Sequence, residues 1–117
     1  MRRLALSLIL LGCTKGPAVL GEEARLEVLE ESAKAVDETL RAGTQGKVTL
    51  RGRIGQVCDE GCWFYLLGEA GVLYVKLNLV DGLTVSPEST GKEAIVRGRL
   101  QSAGGAHTLL GETVVLY

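Results

Sequence analysis

The chain contains one short pattern twice, as Leu50-Arg51-Gly52-Arg53-Ile54 and as Val96-Arg97-Gly98-Arg99-Leu100. In both copies apolar and charged residues alternate around a central glycine, and a period of two is typical of a β-strand with one buried face. A glycine in the middle of a strand marks a bulge, a sharp bend or the close approach of another backbone. Two such bends in a chain of 117 residues favour a small sheet that closes on itself.

Alternation of the same kind continues outward from these two copies and predicts five strands. They span residues 47–57, 62–67, 72–79, 93–100 and 107–116, and a long connection over 81–92 separates the third strand from the fourth. Five short strands with a long link at this place are the pattern of an OB-fold. The sequence therefore predicts a mainly β protein whose residues 44–117 form a five-stranded OB-fold-like barrel.

Residues 21–43 are predicted to form one helix in front of the barrel. Their apolar side chains recur at spacings of three and four and make one narrow stripe: Leu26, Leu29, Ala33, Val36 and Leu40. Acidic residues stand at the beginning of this segment and Gly43 is placed to end it. A stripe this narrow fits a single helix that lies against one side of the barrel.

The first residues have the composition of an export signal. Two arginines precede a run over residues 4–11 that is apolar except for Ser7 and is too short to span a bilayer as a helix. The run ends in Leu10-Leu11-Gly12-Cys13, which resembles the lipobox of bacterial lipoproteins. That resemblance implies a signal peptide over 1–12 and a palmitate-type lipid on Cys13. Lys15, Gly16 and Pro17 then predict a short lipidated tether over 13–20. Thr14 after the cysteine resembles the pattern that sends lipoproteins to the outer membrane, facing the periplasm.

Charge and size exclude several classes of function. The full chain has a net charge of −1, and removal of Arg2 and Arg3 leaves 11 basic against 14 acidic residues, a charge near −3. Nucleic-acid binders normally present a basic face, so no nucleic acid is expected as a partner. One short chain also leaves no room for a multidomain enzyme. The expected partners are the membrane, through the lipid, and a protein of the cell envelope.

A second resemblance covers residues 47–100. It is carried by the motifs Val57-Cys58, Gly61-Cys62-Trp63 and Gly91-Lys92-Glu93-Ala94-Ile95-Val96-Arg97-Gly98, in that order. The chain is similar to a group of small exported bacterial proteins with an OB-fold-like domain and a Val-Cys, short turn, Gly-Cys-Trp signature. This resemblance implies the fold and the compartment, and it implies no specific activity.

The segment Cys58-Asp59-Glu60-Gly61-Cys62 is the part of the chain best suited to chemistry. Three residues ending in glycine suit a hairpin loop closed by a left-handed residue, which would set Cys58 opposite Cys62. Opposed strand residues lie within the Cα separation that disulfides accept, so one interpretation is a disulfide across the hairpin. Export would place the pair where disulfides persist. Thiol–disulfide exchange is a further interpretation, with no partner residues to support it.

The alternative is a metal site. In an OB-fold the loop between the first two strands and the loop that precedes His107 open at the same end of the barrel, so Cys58, Cys62 and His107 are expected to converge there. Two thiolates and one imidazole suit Cu(I) or Zn(II). A candidate ligand-binding face on the second and third strands would use Phe64, Tyr65, Tyr74 and Lys76, with Trp63 as a core residue beside the cysteines. The chain has one histidine and no nucleophile motif, so the sequence predicts a binding or structural module without enzymatic activity or cofactor.

Overall fold

A computed structural model describes residues 17–77, 80–103 and 105–117. The protein is mainly β with two helices. Its elements are β1 (Ala18–Gly21), α1 (Leu26–Ser32), β2 (Lys34–Ala35), α2 (Val36–Ala42), β3 (Gly46–Val57), β4 (Trp63–Leu67), β5 (Val72–Lys76), a 3₁₀ turn (Pro87–Ser89), β6 (Glu93–Ala103) and β7 (Ala106–Leu116). The predicted signal peptide over 1–12, Cys13 and the first part of the predicted tether lie outside the described residues. Within the described ranges, no helix is both long enough and apolar enough to cross a membrane.

The five predicted strands are present as β3 to β7, and their pairings close a ring. The β3–β4, β4–β5, β3–β6 and β6–β7 pairs are antiparallel, whereas β5 and β7 run parallel. Lys76 of β5 lies opposite Trp63 of β4 on one side and Leu110 of β7 on the other. This register fixes which side chains share the outer face of the ring.

The two short strands fill the edges that the ring leaves open. β3 pairs with β6 along one side, and on its other side β4 covers the second half while β2 covers Leu50 and Arg51. β7 pairs with β6 along one side in the same way, while β5 and then β1 cover the other. Both β3 and β7 therefore have pairing partners on both sides over part of their length.

The interior of the ring is packed with aliphatic side chains around Phe64, which is fully buried. Gly98 stands where the β6–β7 register shifts, because β7 carries Glu112 as an extra residue between the partners of Arg97 and Gly98. A Cβ atom on Gly98 would lie 2.2 Å from the carbonyl oxygen of Leu110, and one on Gly52 would lie 2.7 Å from that of Leu67. The close backbone approach predicted at both glycines is confirmed.

The single helix predicted over 21–43 is wrong. The chain is extended at Ala33, and the next two residues pair with β3 before α2 begins at Val36. Pairing with the free side of β3 satisfies backbone groups that a continuous helix would use internally, and here it prevails over helical propensity. The apolar stripe is consequently divided: Leu29 packs against Ile95 outside the ring, whereas Val36 joins the main core.

Asp37 ties α2 to the turn between β4 and β5. Its carboxylate accepts hydrogen bonds from the backbone N–H groups of Ala70 at 2.9 Å and Gly71 at 2.7 Å. The Ala70 hydrogen bond is the main cause that lowers the pKa of Asp37 from its ordinary value of 3.8, and the Gly71 bond acts in the same direction. The ionised form of Asp37 is therefore the one that the folded protein favours.

We expect Asp37→Asn to lower the melting temperature at neutral pH, because an amide oxygen replaces the carboxylate at these two donors. A folded-state pKa below the unfolded value stabilises the fold above the unfolded pKa, and this contribution is lost as the pH falls through the folded pKa. The wild type should thus lose stability below about pH 4, and the variant should lose less over the same window. Melting curves at several pH values test this, with Glu38→Gln on the same helix as the control. Parallel pH profiles for wild type and Asp37→Asn would contradict the assignment.

Candidate functional site

β4 turns neighbouring side chains to opposite faces of the sheet. Phe64 lies opposite Val75 inside the ring, while Trp63 lies opposite Lys76 and Tyr65 opposite Tyr74 on the outside. The predicted binding face is therefore wrong at Phe64, which is fully buried and unavailable to a ligand. The other three predicted residues, Tyr65, Tyr74 and Lys76, do share the outer face.

Three aromatic rings form a continuous patch on this outer face. The ring centroids of Trp63 and Tyr65 are 5.5 Å apart, those of Trp63 and Tyr74 are 5.8 Å apart, and those of Tyr65 and Tyr74 are 5.9 Å apart. The expectation that Trp63 belongs to the core is wrong, since its ring packs against the two tyrosines and is only half-buried. We call Trp63, Tyr65 and Tyr74 the aromatic surface. Ring pairs at these distances attract each other, so the surface is preorganised.

The cysteine hairpin adjoins the aromatic surface. Gly61 has a φ of 79°, as the predicted left-handed turn requires, and its N–H donates to the Cys58 carbonyl at 2.8 Å. The Cys58 N–H donates to the Trp63 carbonyl at 2.9 Å, so Cys58 is opposed by Trp63 and the loop is one residue longer than predicted. A Cβ atom on Gly61 would lie 2.6 Å from the Val85 carbonyl oxygen, which shows how closely the connection after β5 covers the hairpin.

Cys58 and Cys62 are free thiols in this structure. Their Sγ atoms are 3.2 Å apart, well beyond the roughly 2.05 Å of an S–S bond. The predicted disulfide is therefore not formed here, although both sulfur atoms lie side by side. A hydrogen bond from the Cys62 thiol lowers the pKa of Cys58, and the same bond raises the pKa of Cys62. Cys58 is thus the sulfur that ionises first and the better nucleophile of the pair.

We expect oxidised glutathione to close this pair. The Cys58 thiolate attacks the glutathione disulfide and releases one glutathione, and Cys62 then displaces the second, so that two thiols become one disulfide. For a loop of five residues the chain-entropy model gives a stabilisation of about 2 kcal/mol. Denaturant unfolding before and after oxidation measures it, with Cys62→Ser as the control that should not respond. An oxidised protein no more stable than the reduced one would refute this expectation.

The predicted metal alternative is not assembled. β7 runs antiparallel to β4, so His107 at the start of β7 lies at the level where β4 ends, whereas both cysteines precede β4. The expectation that the two loops open at the same end is wrong for this reason. His107 instead shares a hydrogen bond with Ser102, with Oγ and Nδ1 2.6 Å apart. Among the residues that the structure describes, no three His, Cys, Asp or Glu side chains are grouped to hold a metal ion.

Comparison with known proteins extends the fold assignment. Neither a protein-family model nor a curated protein sequence matches the chain. Among solved structures, the hypothetical protein ygiW from E. coli is similar, with a TM-score of 0.54 and 17% sequence identity over 74% of this chain and 90% of that one. At this identity the likeness concerns the fold alone. The chain therefore shares the architecture of ygiW, which is consistent with the OB-like fold that the sequence predicts.

Proposed function

We propose that this protein is a lipid-anchored lipoprotein of the bacterial cell envelope, held at the outer membrane and facing the periplasm. Its folded part is a five-stranded OB-like barrel that acts as a binding module without enzymatic activity. The closed ring of pairings from β3 to β7 supports the barrel. The apolar run that ends in Gly12-Cys13 supports the anchor.

The observation that carries the binding function is the aromatic surface. OB-folds bind oligonucleotides and oligosaccharides on the face formed around their second and third strands. β4 and β5 are the second and third strands of the ring counted from β3, and the three rings stand on their outer face. The partly exposed side chains of Trp63, Tyr65 and Tyr74 offer stacking area at the place where this fold binds its ligands.

The charge around the aromatic surface favours an oligosaccharide as the ligand. Single-stranded nucleic acids require a basic groove along the phosphates in addition to stacking. On the paired part of β4 and β5, Lys76 is the one cationic side chain, and the chain as a whole is acidic. Sugar rings stack on aromatic side chains through their C–H faces and need no such groove. A neutral oligosaccharide therefore fits this surface better than a nucleic acid.

Tryptophan fluorescence provides a direct test, because Trp63 is the only tryptophan of the chain. We expect a neutral oligosaccharide from a panel of gluco- and chito-oligomers to change the emission, while oligo-dT does not. Tyr74→Ala should weaken this binding at least tenfold, a loss of about 1.4 kcal/mol. Val72→Ala removes a neighbouring exposed apolar side chain of β5 and should leave the affinity unchanged. Binding of oligo-dT alone, or equal effects of both variants, would contradict the proposal.

The anchor is tested separately. We expect Cys13→Ser to abolish incorporation of labelled palmitate and to release the protein from the membrane fraction, while the melting temperature of the folded part stays the same. The cysteine would then act through its lipid and not through packing. Equal palmitate labelling of wild type and variant would defeat the anchoring proposal without touching the binding proposal.

A further inference from the structure

A cavity bordered by β2, α2, β3 and β6 lies on different strands from the aromatic surface. Its volume is about 310 Å³. Its walls carry three basic residues, Lys34, Lys47 and Arg97, and four residues with hydroxyl groups, and none of the lining residues is acidic. In a chain with a negative net charge, this is a local concentration of positive charge.

Strand register brings the basic residues together. Thr49 of β3 lies opposite Arg97 of β6, and two antiparallel residues in register point to the same face. On the other side of β3, Lys34 of β2 lies beside Leu50. α2 then covers this part of the sheet and contributes Thr39 to the wall. The cavity therefore exists because the chain leaves the helix at Ala33 and adds β2 to the edge of β3.

Two hydroxyl groups at the cavity have no partner within the described residues. Thr39 is 4% exposed and Thr49 is 9% exposed. The side-chain hydrogen bonds of the described residues include neither of them, whereas the Ser32 hydroxyl donates to the Val28 carbonyl at 2.7 Å. Buried hydroxyl groups normally have a hydrogen-bond partner, because leaving one without a partner costs free energy. Both threonines can donate to an acceptor placed in the cavity.

The cations around the cavity are only partly neutralised. Lys47 forms an ion pair with Glu112 of β7. Lys34 and Arg97 form no ion pair with any described residue. Arg97 is half-buried, and a guanidinium group held in this way presents its fork of N–H donors to a planar or tetrahedral oxyanion. An anion would satisfy these two cations and the two hydroxyl groups together.

We propose that this cavity binds a phosphate or sulfate group. Arg97 and Lys34 supply the positive charge, and the hydroxyl groups of Thr39 and Thr49 donate hydrogen bonds to the anion's oxygen atoms. The group belongs either to a small soluble molecule or to the headgroup of an anionic lipid. The chemistry of recognition is the same for both sources.

Calorimetric titration of the full chain with inorganic phosphate, in a neutral detergent, tests the site. We expect Arg97→Gln to weaken phosphate binding at least tenfold. Thr49→Val should also weaken it several-fold with no fall in melting temperature, because valine has nearly the same shape and removes a hydroxyl group without a partner. Lys76→Gln is the matched control, since it removes one positive charge outside the cavity and should change the affinity less than twofold.

A second set of measurements separates the two sources of the anion. The protein is placed in vesicles of phosphatidylcholine, with or without phosphatidylglycerol, at constant ionic strength, and phosphate binding is measured again. If phosphatidylglycerol weakens phosphate binding by the wild type but not by Arg97→Gln, the lipid headgroup is the occupant of the cavity. Unchanged affinity identifies a soluble phosphate. No phosphate binding in either setting, or equal losses for Thr49→Val and Lys76→Gln, would overturn the proposal.

Discussion

Gly98→Val is expected to cost more than about 3 kcal/mol and to leave most of the protein unfolded. The new Cβ atom alone would lie 2.2 Å from the Leu110 carbonyl oxygen and 2.9 Å from the Gly111 Cα atom. Both contacts are with backbone, so no side-chain rotation relieves them. The β6–β7 pair would have to separate at its register shift, and this pair carries the longest ladder of the ring.

Urea unfolding monitored by circular dichroism measures this loss. Gly52→Val should be less damaging, because one of its close contacts is the movable Leu66 side chain, although the Leu67 carbonyl oxygen remains 2.7 Å away. Gln101→Val places the same side chain at an exposed position of β6 and serves as the control. Equal stability of Gly98→Val and Gln101→Val would show that the backbone approach at Gly98 is wrongly placed.

Phe64→Ala is expected to lower the free energy of unfolding by about 3–5 kcal/mol. Phe64 has the largest of the fully buried side chains, and its removal opens a cavity in the centre of the ring. The neighbouring residue provides the comparison, because Tyr65 points to the outer face. Tyr65→Ala should cost only about 1 kcal/mol, the contribution of its ring contacts.

Substitutions at Phe64 and at Tyr65 should differ in their effects on stability and on ligand binding. Phe64→Leu, which keeps the core filled, should retain oligosaccharide binding, whereas Tyr65→Ala should weaken it. A stable Phe64→Ala together with an unfolded Tyr65→Ala would reverse the assignment of inner and outer faces of β4.

The strands could be predicted from sequence because burial of one face imposes a period of two. In β5, Leu73 and Val75 alternate with Tyr74 and Lys76, and the structure places the first two inside. β4 gives no such signal, because Trp63 to Leu67 is a continuous apolar run. Either set of alternate residues in this run could face the core. The available clue was the partner strand: pairing Phe64 with Val75 assigns Phe64 to the core and Trp63 to the surface.

In the helical segment the apolar stripe correctly identifies buried residues, whereas the predicted single helix is wrong. Leu29 and Val36 are buried, as the stripe predicts, although they belong to two helices that pack on different sides of the sheet. No glycine or proline lies between α1 and α2, so the local sequence does not indicate that the helix is interrupted there. The cause is the unpaired half of β3, which becomes visible only when the whole sheet is assembled. β1, with four residues, is too short to show a period and was missed for a similar reason.

The cysteine pair was found from its spacing, while the histidine was grouped with it wrongly. A turn ending in glycine determines which residues of one hairpin approach each other, and this is local information. Whether a second hairpin opens at the same end depends on the direction of every intervening strand, and the parallel β5–β7 pair sets that direction. The cavity beside Arg97 was not predicted, since its residues come from both helices, from the connection after α2 and from the strands β2, β3 and β6.

The short strands β1 and β2 also hinder association of the protein with other copies of itself. An uncovered strand edge offers unpaired N–H and C=O groups to another molecule and is a starting point for aggregation or exchange of strands between chains. Here two pieces of the N-terminal segment occupy those edges on β7 and β3. Loss of that segment by proteolysis would leave part of one edge of β3 and of β7 without a pairing partner. The segment before β3 therefore protects the protein against self-association.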